Sequence, residues 1–195
     1  MKKALKYLLY GLIALVVGAI LGIGSAFIAI EGSIASLSVN NGPWFTNLAI
    51  GSEQASPHLR AAIALHGLLA LSQSETIYFT ALNDSAGNPL DGNCTYVVKG
   101  KAPDARWWSI TVYGADDFLI PNDLNRYSYN MNNITFDSNG VFTIYVSKNQ
   151  QPGAWLPLGN ETKFSLSLRM YNPSQSVRDH PDKIELPTIT KEGCK

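Results

Sequence analysis

The feature that most constrains this chain is an uncharged, largely apolar run of 24 residues close to its start. The run covers residues 7–30; a six-residue tail with three lysines precedes it, and Glu31 ends it. As an α-helix it measures roughly 36 Å, enough to cross the ~30 Å hydrocarbon core of a bilayer. Because lysines lie before the run and no basic residue closely follows it, we expect a single-pass protein of the cytoplasmic (inner) membrane. Residues 1–6 would lie in the cytoplasm, and the rest of the chain in the periplasm or outside.

A cleaved signal peptide is the alternative interpretation of this run. Residues 24–26 read Gly-Ser-Ala, and such small side chains are typical of a cleavage site. The apolar region of a signal peptide usually covers about 7 to 15 residues, and this run is longer. Its length therefore favours a signal anchor that stays attached to the protein.

Small residues recur every four positions along the run, at Ala14, Gly18, Gly22 and Ala26. A face of small side chains allows two membrane helices to approach closely, which would permit self-association through Gly18 and Gly22. The other interpretation is that glycine is simply frequent in membrane-spanning helices. The sequence leaves both interpretations open.

The remaining residues, 31–195, are numerous enough for one domain with its own hydrophobic core. All fifteen acidic residues but only twelve of the fifteen Lys and Arg lie there, so this part carries a formal charge of −3. It contains no basic tract and no Lys/Arg cluster among aromatic residues. We therefore expect no nucleic-acid partner.

Residues 31–54 are rich in Gly, Ser and Asn, and they predict a linker that docks on the domain through Trp44 and Phe45. Ser56 and Pro57 then have the pattern of a helix N-cap followed by proline in the first turn. Apolar residues continue at helical spacing to about Leu71, with His66 among them. We expect His66 to be a hydrogen-bonded core residue rather than a ligand or a base.

From residue 76 onwards the apolar period changes to two. Alternating segments lie near residues 76–81, 94–98, 107–113, 141–146 and 164–170, separated by clusters of Gly, Asn, Asp and Pro. This pattern predicts a mainly β domain over residues 55–195, an antiparallel sandwich or barrel with one or two helices. The proline-rich tail after Asn172 is expected to be irregular.

Two cysteines, Cys94 and Cys194, are present. Outside the cytoplasm a cysteine pair favours a disulfide, which here would attach the C-terminal tail to the sheet. Two separate thiols are the alternative.

The common catalytic and cofactor signatures are absent from the sequence. There is no P-loop, no dinucleotide-binding glycine pattern, no H-E-x-x-H and no G-x-S-x-G. The three histidines, His58, His66 and His180, are too dispersed for a local metal site. We therefore expect no cofactor and no metal. Asp116 and Asp117 are interpreted as turn residues rather than as a glycosidase pair.

The segment from Ala105 to Ser128 holds the remaining candidate site. In a strand, adjacent tryptophans face opposite sides, so we place Trp108 in the core and Trp107 on the other face. The loop of residues 121–126 is rich in side chains that hydrogen-bond their own backbone, which is typical of a fixed corner. The alternative is a polar recognition site. The candidate ligand-binding residues are Trp107, Asp123, Asn125 and Arg126.

Several of these segments together resemble a known family. They are NGPWFTNLAIGS, LLALSQSETIYFTA, GNPLDGNCTY, ARWWSITVYGADDFLIPNDLNRYS, FTIYVS, WLP and FSLSLRMYNP. In this order they are similar to domain-of-unknown-function family 1214, over most of residues 41–195. The resemblance implies a jelly-roll-like β domain. It also implies a relation to longer proteins in which this domain follows a companion, domain of unknown function 1254, whose place the apolar run takes here. The family offers no established reaction, so no catalytic residue is transferred.

These observations predict a membrane-anchored binding or accessory module outside the cytoplasmic membrane. Its expected partner is a separate protein that carries the 1254-type domain. An envelope hydrolase acting on a glycan or a small ester is one alternative, and it would use Asp123, Asn125, Arg126 and the outward-facing aromatic residues. A structural envelope component is another.

Overall fold

The computed structural model describes residues 2–35, 38–66 and 70–194, and these contain three helices and ten strands. The helices are α1 (Lys2–Ala35), α2 (Pro57–Leu65) and α3 (Gln175–Asp179). The strands are β1 (Ser38–Asn41), β2 (Trp44–Asn47), β3 (Thr76–Ala81), β4 (Cys94–Lys101), β5 (Ala105–Gly114), β6 (Ser128–Asn130), β7 (Val141–Ser147), β8 (Trp155–Pro157), β9 (Phe164–Pro173) and β10 (Thr188–Cys194).

The strands form two sheets. The six-stranded sheet has the order β1-β2-β3-β9-β5-β6, and the four-stranded sheet has the order β10-β4-β7-β8. All neighbouring strands are antiparallel except β7 and β8, which pair in parallel. The expectation of a mainly β, antiparallel sandwich with few helices is confirmed, and the β7–β8 pair is its one parallel exception among the described strands. The Ser147–Trp155 connection brings β8 back alongside β7 in the same direction.

The hydrophobic core lies between the two sheets. Alternation in β5 directs Trp108, Ile110 and Val112 inward, and all three are buried. Aromatic contacts join the layers: Trp108 stacks on Phe142 of the opposite sheet with ring centroids 5.1 Å apart. Each large side chain that is fully buried in this way contributes about 1.5–3 kcal/mol to folding.

Residues 38–47 attach to the domain as a hairpin at the edge of the six-stranded sheet. Gly42, with φ of 58°, provides the left-handed turn between β1 and β2. The buried Trp44 indole donates to the Pro187 carbonyl at 2.6 Å. The Asn41 amide donates to two further tail carbonyls, those of Pro181 and Ile184. The predicted docking through Trp44 therefore takes the form of strand pairing plus hydrogen bonds to the tail.

The C-terminal tail is more regular than its proline content suggests. After β9 the chain forms α3, and residues 188–194 then pair with β4 as an edge strand. Cys194 lies directly opposite Cys94 in this pairing, and the two form a disulfide. The prediction of an irregular tail is therefore wrong for its last residues, whereas the predicted pairing of the cysteines agrees with the structure.

Helix α1 projects from the domain. Of its described side chains, those of Ile30, Ser33 and Ile34 are partly buried and the others are exposed. Residues 3–34 are long and apolar enough to cross a membrane, with a mean hydropathy of 2.6 in the most apolar window. The last turn of the helix contacts the domain, because Asn47 donates its side-chain amide to the Ile34 carbonyl. This end of α1 also packs against α2.

Helix α2 begins as the sequence predicts but ends earlier. The Ser56 hydroxyl accepts the Leu59 N–H at 3.1 Å, and Pro57 occupies the first turn. The helix ends at Leu65 instead of Leu71, and residues 67–69 lie outside the described part of the chain. The expectation of a buried His66 is wrong. The residue caps the helix, where the helical spacing no longer determines its direction, and its side chain is 41% exposed.

Candidate functional site

The outward face of the six-stranded sheet carries a row of polar and aromatic side chains. Trp107 lies on this face, opposite to Trp108, as the alternation in β5 predicts. Its indole is partly buried and packs edge-on against the ring of Tyr171, with centroids 5.3 Å apart. Trp107 and Tyr171 are direct partners in the β5–β9 register. Much of the Trp107 surface therefore serves packing within the sheet.

Arg169 occupies the centre of the same face and was not identified from the sequence as a site residue. Its guanidinium donates to the Tyr113 hydroxyl at 2.7 Å and to the Thr111 hydroxyl at 3.3 Å. It also lies over the Tyr113 ring, 5.4 Å from the centroid. The ion pairs of the described residues do not include Arg169. Its charge is thus held by hydroxyls and a ring. The one charged side chain within FSLSLRM was the available signal.

Residues 48–66 and 70–75 cover part of this outward face. Tyr78 is buried there, and its hydroxyl accepts the Leu71 N–H at 3.2 Å. At the far end of α2, His66 Nδ1 lies 2.6 Å from an Asp117 carboxylate oxygen, which connects α2 to the loop after β5. Both contacts attach this segment to the sheet and to its loops, and we refer to residues 48–66 and 70–75 as the cover.

The loop of residues 121–126 is built around the side chain of Asn122. Its Oδ1 accepts the Arg126 N–H at 3.0 Å, and its Nδ2 donates to the carbonyls of Ile120 and Arg126. Asn125 adopts the left-handed conformation, with φ of 49°, which asparagine tolerates better than most residues. Three bonds from one amide close this loop. Asn122 therefore fixes the corner, and sequence reasoning did not single it out.

The other loop candidates lie on the surface of this corner. The Arg126 guanidinium donates to the Trp155 carbonyl of the second sheet at 3.4 Å and lies 5.9 Å from the Tyr129 ring centroid. Asp123 and Asn125 are exposed beside it, as is Leu124 at 52%. Arg126 reaches the open edge of the sandwich between β6 and β8, whereas Trp107 lies on the outward face. The structure therefore does not bring the four predicted site residues together.

One known protein family matches just over half of this chain. Residues 75–175 match the family described as protein of unknown function DUF1214. The chain belongs to the DUF1214 family. The matched region contains Trp107, Arg126 and Arg169, but it ends before β10, so Cys194 lies outside it. The family resemblance seen in the sequence is thus confirmed, and the match adds no assigned activity.

Two solved structures are similar to this chain. The crystal structure of the VPA0106 protein from Vibrio parahaemolyticus is 31% identical, with a TM-score of 0.58, and the match covers 72% of this chain and 36% of that one. A putative uncharacterized protein from Burkholderia cenocepacia is 15% identical, with a TM-score of 0.44, and the match covers 62% and 30% of the two chains. This chain thus spans about a third of the length of each. Comparison with curated proteins finds no match.

A polar groove of about 400 Å³ lies at one end of the four-stranded sheet of this DUF1214 protein. It is lined by three chain segments: residues 92–95, residues 148–151 except Gln150, and residues 192–194 with the disulfide. Lys148 Nζ donates to the Asn93 side chain at 3.1 Å across it. Glu192 is the one carboxylate among the lining residues, whereas glycoside hydrolysis uses two. No spacing in the sequence could have shown this groove, because distant segments form it.

Tyr96 of β4 is an ionisable group with a shifted pKa. Burial raises the pKa of Tyr96, and the nearby Asp84 and Asp91 charges act in the same direction. Its hydroxyl accepts the Asp91 N–H at 2.9 Å, so it is a structural tyrosine that stays protonated at neutral pH. Among the described residues, no group of three or more His, Cys, Asp and Glu side chains is arranged to hold a metal ion.

Proposed function

We propose that this DUF1214 protein is a single-pass protein of the cytoplasmic membrane that presents its β sandwich on the outer side as a binding or accessory module. The observation that carries the proposal is α1, in which residues 3–34 form one continuous apolar helix whose most apolar window has no buried surface. A helix of that length in a soluble core would bury one face against its own domain. The hydrocarbon core of a bilayer is an environment in which such an apolar helix surface is shielded from water.

The expected partner is a separate protein that supplies a 1254-type companion domain. The match covers only 36% of the VPA0106 protein, so most of that longer chain lies outside the match. Splitting a two-domain protein into two chains would leave a surface on this domain that binds the second chain. The corner of residues 121–126 suits that role because Arg126, Asp123 and Leu124 are adjacent there. Arginine and apolar side chains provide much of the energy in protein interfaces.

A purification experiment tests the partner. The full chain, with a C-terminal tag, is solubilised from native membranes in a mild detergent, and the proteins recovered in stoichiometric amounts are identified. A Leu124→Asp variant should lose the companion. A Leu82→Asp variant is the matched control, since Leu82 is also 52% exposed but lies after β3. Recovery of the chain without a companion, or equal recovery in both variants, would contradict the proposal.

The topology needs its own measurement. Protease added to intact spheroplasts should digest the β domain, while alkaline carbonate should leave the chain in the membrane. A mature N-terminus near Ala26 would instead show a cleaved signal peptide and would remove the anchor.

The size of the detergent-solubilised wild type, compared with a Gly18→Leu, Gly22→Leu double variant, tests self-association through the small-residue face of α1.

A further inference from the structure

Exposed apolar side chains cluster where α2 meets the loop after β5. Leu65, the last residue of α2, is 62% exposed, and Phe118 and Leu119 are 73% and 43% exposed. The contact between His66 and Asp117 at 2.6 Å brings the two segments together, because each partner directly adjoins one of these apolar residues. Single exposed apolar residues are common on proteins, but a cluster of large ones marks a contact surface. We call Leu65, Phe118 and Leu119 the apolar tip.

The apolar tip includes the last residue of α2, the helix on which the base of α1 packs. The partly buried residues Ile30, Ser33 and Ile34 mark the end of α1 that meets the domain, and α1 packs against α2. Helix α2 has nine residues and is therefore about 13 Å long, which limits how far Leu65 can lie from that contact. Glu31 is the first charged residue after the apolar run. If α1 spans the bilayer, Glu31 lies at the membrane surface and α2 lies beside it.

We propose that the apolar tip inserts into the interfacial layer of the same bilayer that holds α1. The lipid surface is then a second attachment point, and it fixes the orientation of the β sandwich relative to the membrane. This inference rests on the proposed function, because it requires α1 to cross the bilayer. Phenylalanine and leucine side chains of interfacial segments insert about 5–10 Å into the boundary between headgroups and acyl chains.

The charges around the apolar tip indicate which lipids it uses. Asp116 and Asp117 directly precede Phe118, and both are exposed. These carboxylates would be repelled by anionic headgroups, so attachment depends on burial of apolar surface rather than on charge. We therefore expect insertion into vesicles of phosphatidylcholine alone. A second protein chain on the same surface is the competing occupant, and the experiment distinguishes it from lipid.

Site-specific fluorescence on the full chain tests the insertion. Both natural cysteines are in the disulfide, so one introduced cysteine can be labelled selectively with an environment-sensitive fluorophore. Labels at Leu65→Cys and Phe118→Cys report on the apolar tip, and each variant retains the other apolar residue. Gln150→Cys, an exposed position after β7, is the water-exposed control, and Leu15→Cys in the middle of α1 reports on the span. The vesicles contain phosphatidylcholine with nitroxides at shallow or deep acyl positions.

The expected result is blue-shifted emission and quenching by shallow nitroxides for both apolar-tip labels, with quenching by deep nitroxides for Leu15→Cys and none for Gln150→Cys. If Leu15→Cys is quenched but the apolar-tip labels behave like Gln150→Cys, the inference fails and the proposed function stands. Apolar-tip labels that shift to the blue without quenching would indicate a protein on this surface and would also overturn the inference. An unquenched Leu15→Cys would overturn the proposed function, and the inference with it.

Discussion

At the scale of single residues, Asn122 shows how one amide can define a corner. We expect Asn122→Ala to destabilise the domain by about 1–3 kcal/mol, because it leaves the Arg126 N–H and two carbonyls without their partner. Thermal and urea unfolding, monitored by near-ultraviolet circular dichroism, measure the loss. Asn122→Asp is the informative second variant: it retains the acceptor for the Arg126 N–H but has no N–H to donate.

Arg126→Ala is the matched comparison at the same corner. Its side chain contributes one long hydrogen bond of 3.4 Å and a contact with the Tyr129 ring at 5.9 Å, both partly exposed to water. We therefore expect a loss of no more than about 1 kcal/mol. A larger loss in Arg126→Ala than in Asn122→Ala would show that the guanidinium, and not the asparagine, holds the corner.

Asp84 gives the fold a defined dependence on pH. Burial opposes its ionisation, but N–H groups of Asn88 and Ala86 donate to its carboxylate and together hold its pKa below the ordinary value of 3.8. A pKa that is lowered in the folded state contributes stability above the unfolded pKa of about 3.9 and loses it as the pH falls through the folded value. We expect Asp84→Asn to lower the free energy of unfolding at pH 7 and to make that free energy decrease less steeply below about pH 4. An equally steep decrease in wild type and variant would contradict this role.

At the scale of elements, the disulfide holds an edge strand that is paired with β4 but buries few side chains. Ile189 is the one buried residue of β10, and Cys94 and Cys194 close a loop with a sequence separation of 100 residues. The chain-entropy relation gives up to about 4.7 kcal/mol for a loop of this size. We expect the Cys94→Ser, Cys194→Ser variant to melt at a lower temperature and to lose amide protection first along β10. Unchanged protection of β10 would show that its pairing with β4 suffices.

The elements also show what the sequence can predict. Strand β9 and the inward direction of Trp108 follow from strict alternation, which is a local property. Strand β10 was not predicted because its pattern has a single buried position and contains no alternation. Pairing of β1 with β2, and the parallel β7–β8 pair, depend on contacts between strands and not on composition. His66 was placed in the core by helical spacing, and that argument fails where the helix ends.

The candidate site was predictable only in part, for the same physical reason. Reading along one strand separated Trp107 from Trp108, and loop chemistry identified the corner, although not Asn122 as its centre. Arg169 acquires its environment from Thr111 and Tyr113, which lie on a neighbouring strand. The groove beside the disulfide requires three segments that only the folded chain assembles. Features formed by one segment were visible in the sequence, and features formed by several were not.

At the scale of the whole molecule, the protein outside α1 consists of two packed parts. The buried sandwich core draws on both sheets, whereas Leu59 and Ala62 of α2 are buried outside that core, within the cover. The cover contacts both α1 and the sandwich, because α1 packs on α2 and the Leu71 N–H donates to the Tyr78 hydroxyl. Two parts of a protein that do not share their buried contacts can unfold locally, one without the other. The cover is one contact between α1 and the sandwich, and a second is the hydrogen bond from Asn47 of β2 to the Ile34 carbonyl.

This division predicts different results for two leucines that are both fully buried. Leu59→Ala removes the main apolar contact of α2, and the cost of about 2–5 kcal/mol for such a change should open the cover while the sandwich stays folded. Limited trypsin digestion should then cut at Arg60 and leave a resistant fragment that begins at Ala61, because the next lysine or arginine is Lys99 in β4. Leu168→Ala in β9 should instead lower the melting temperature of the whole domain and expose both parts together. If Leu59→Ala melts the domain as Leu168→Ala does, without a resistant fragment, the cover and the sandwich form one cooperative unit.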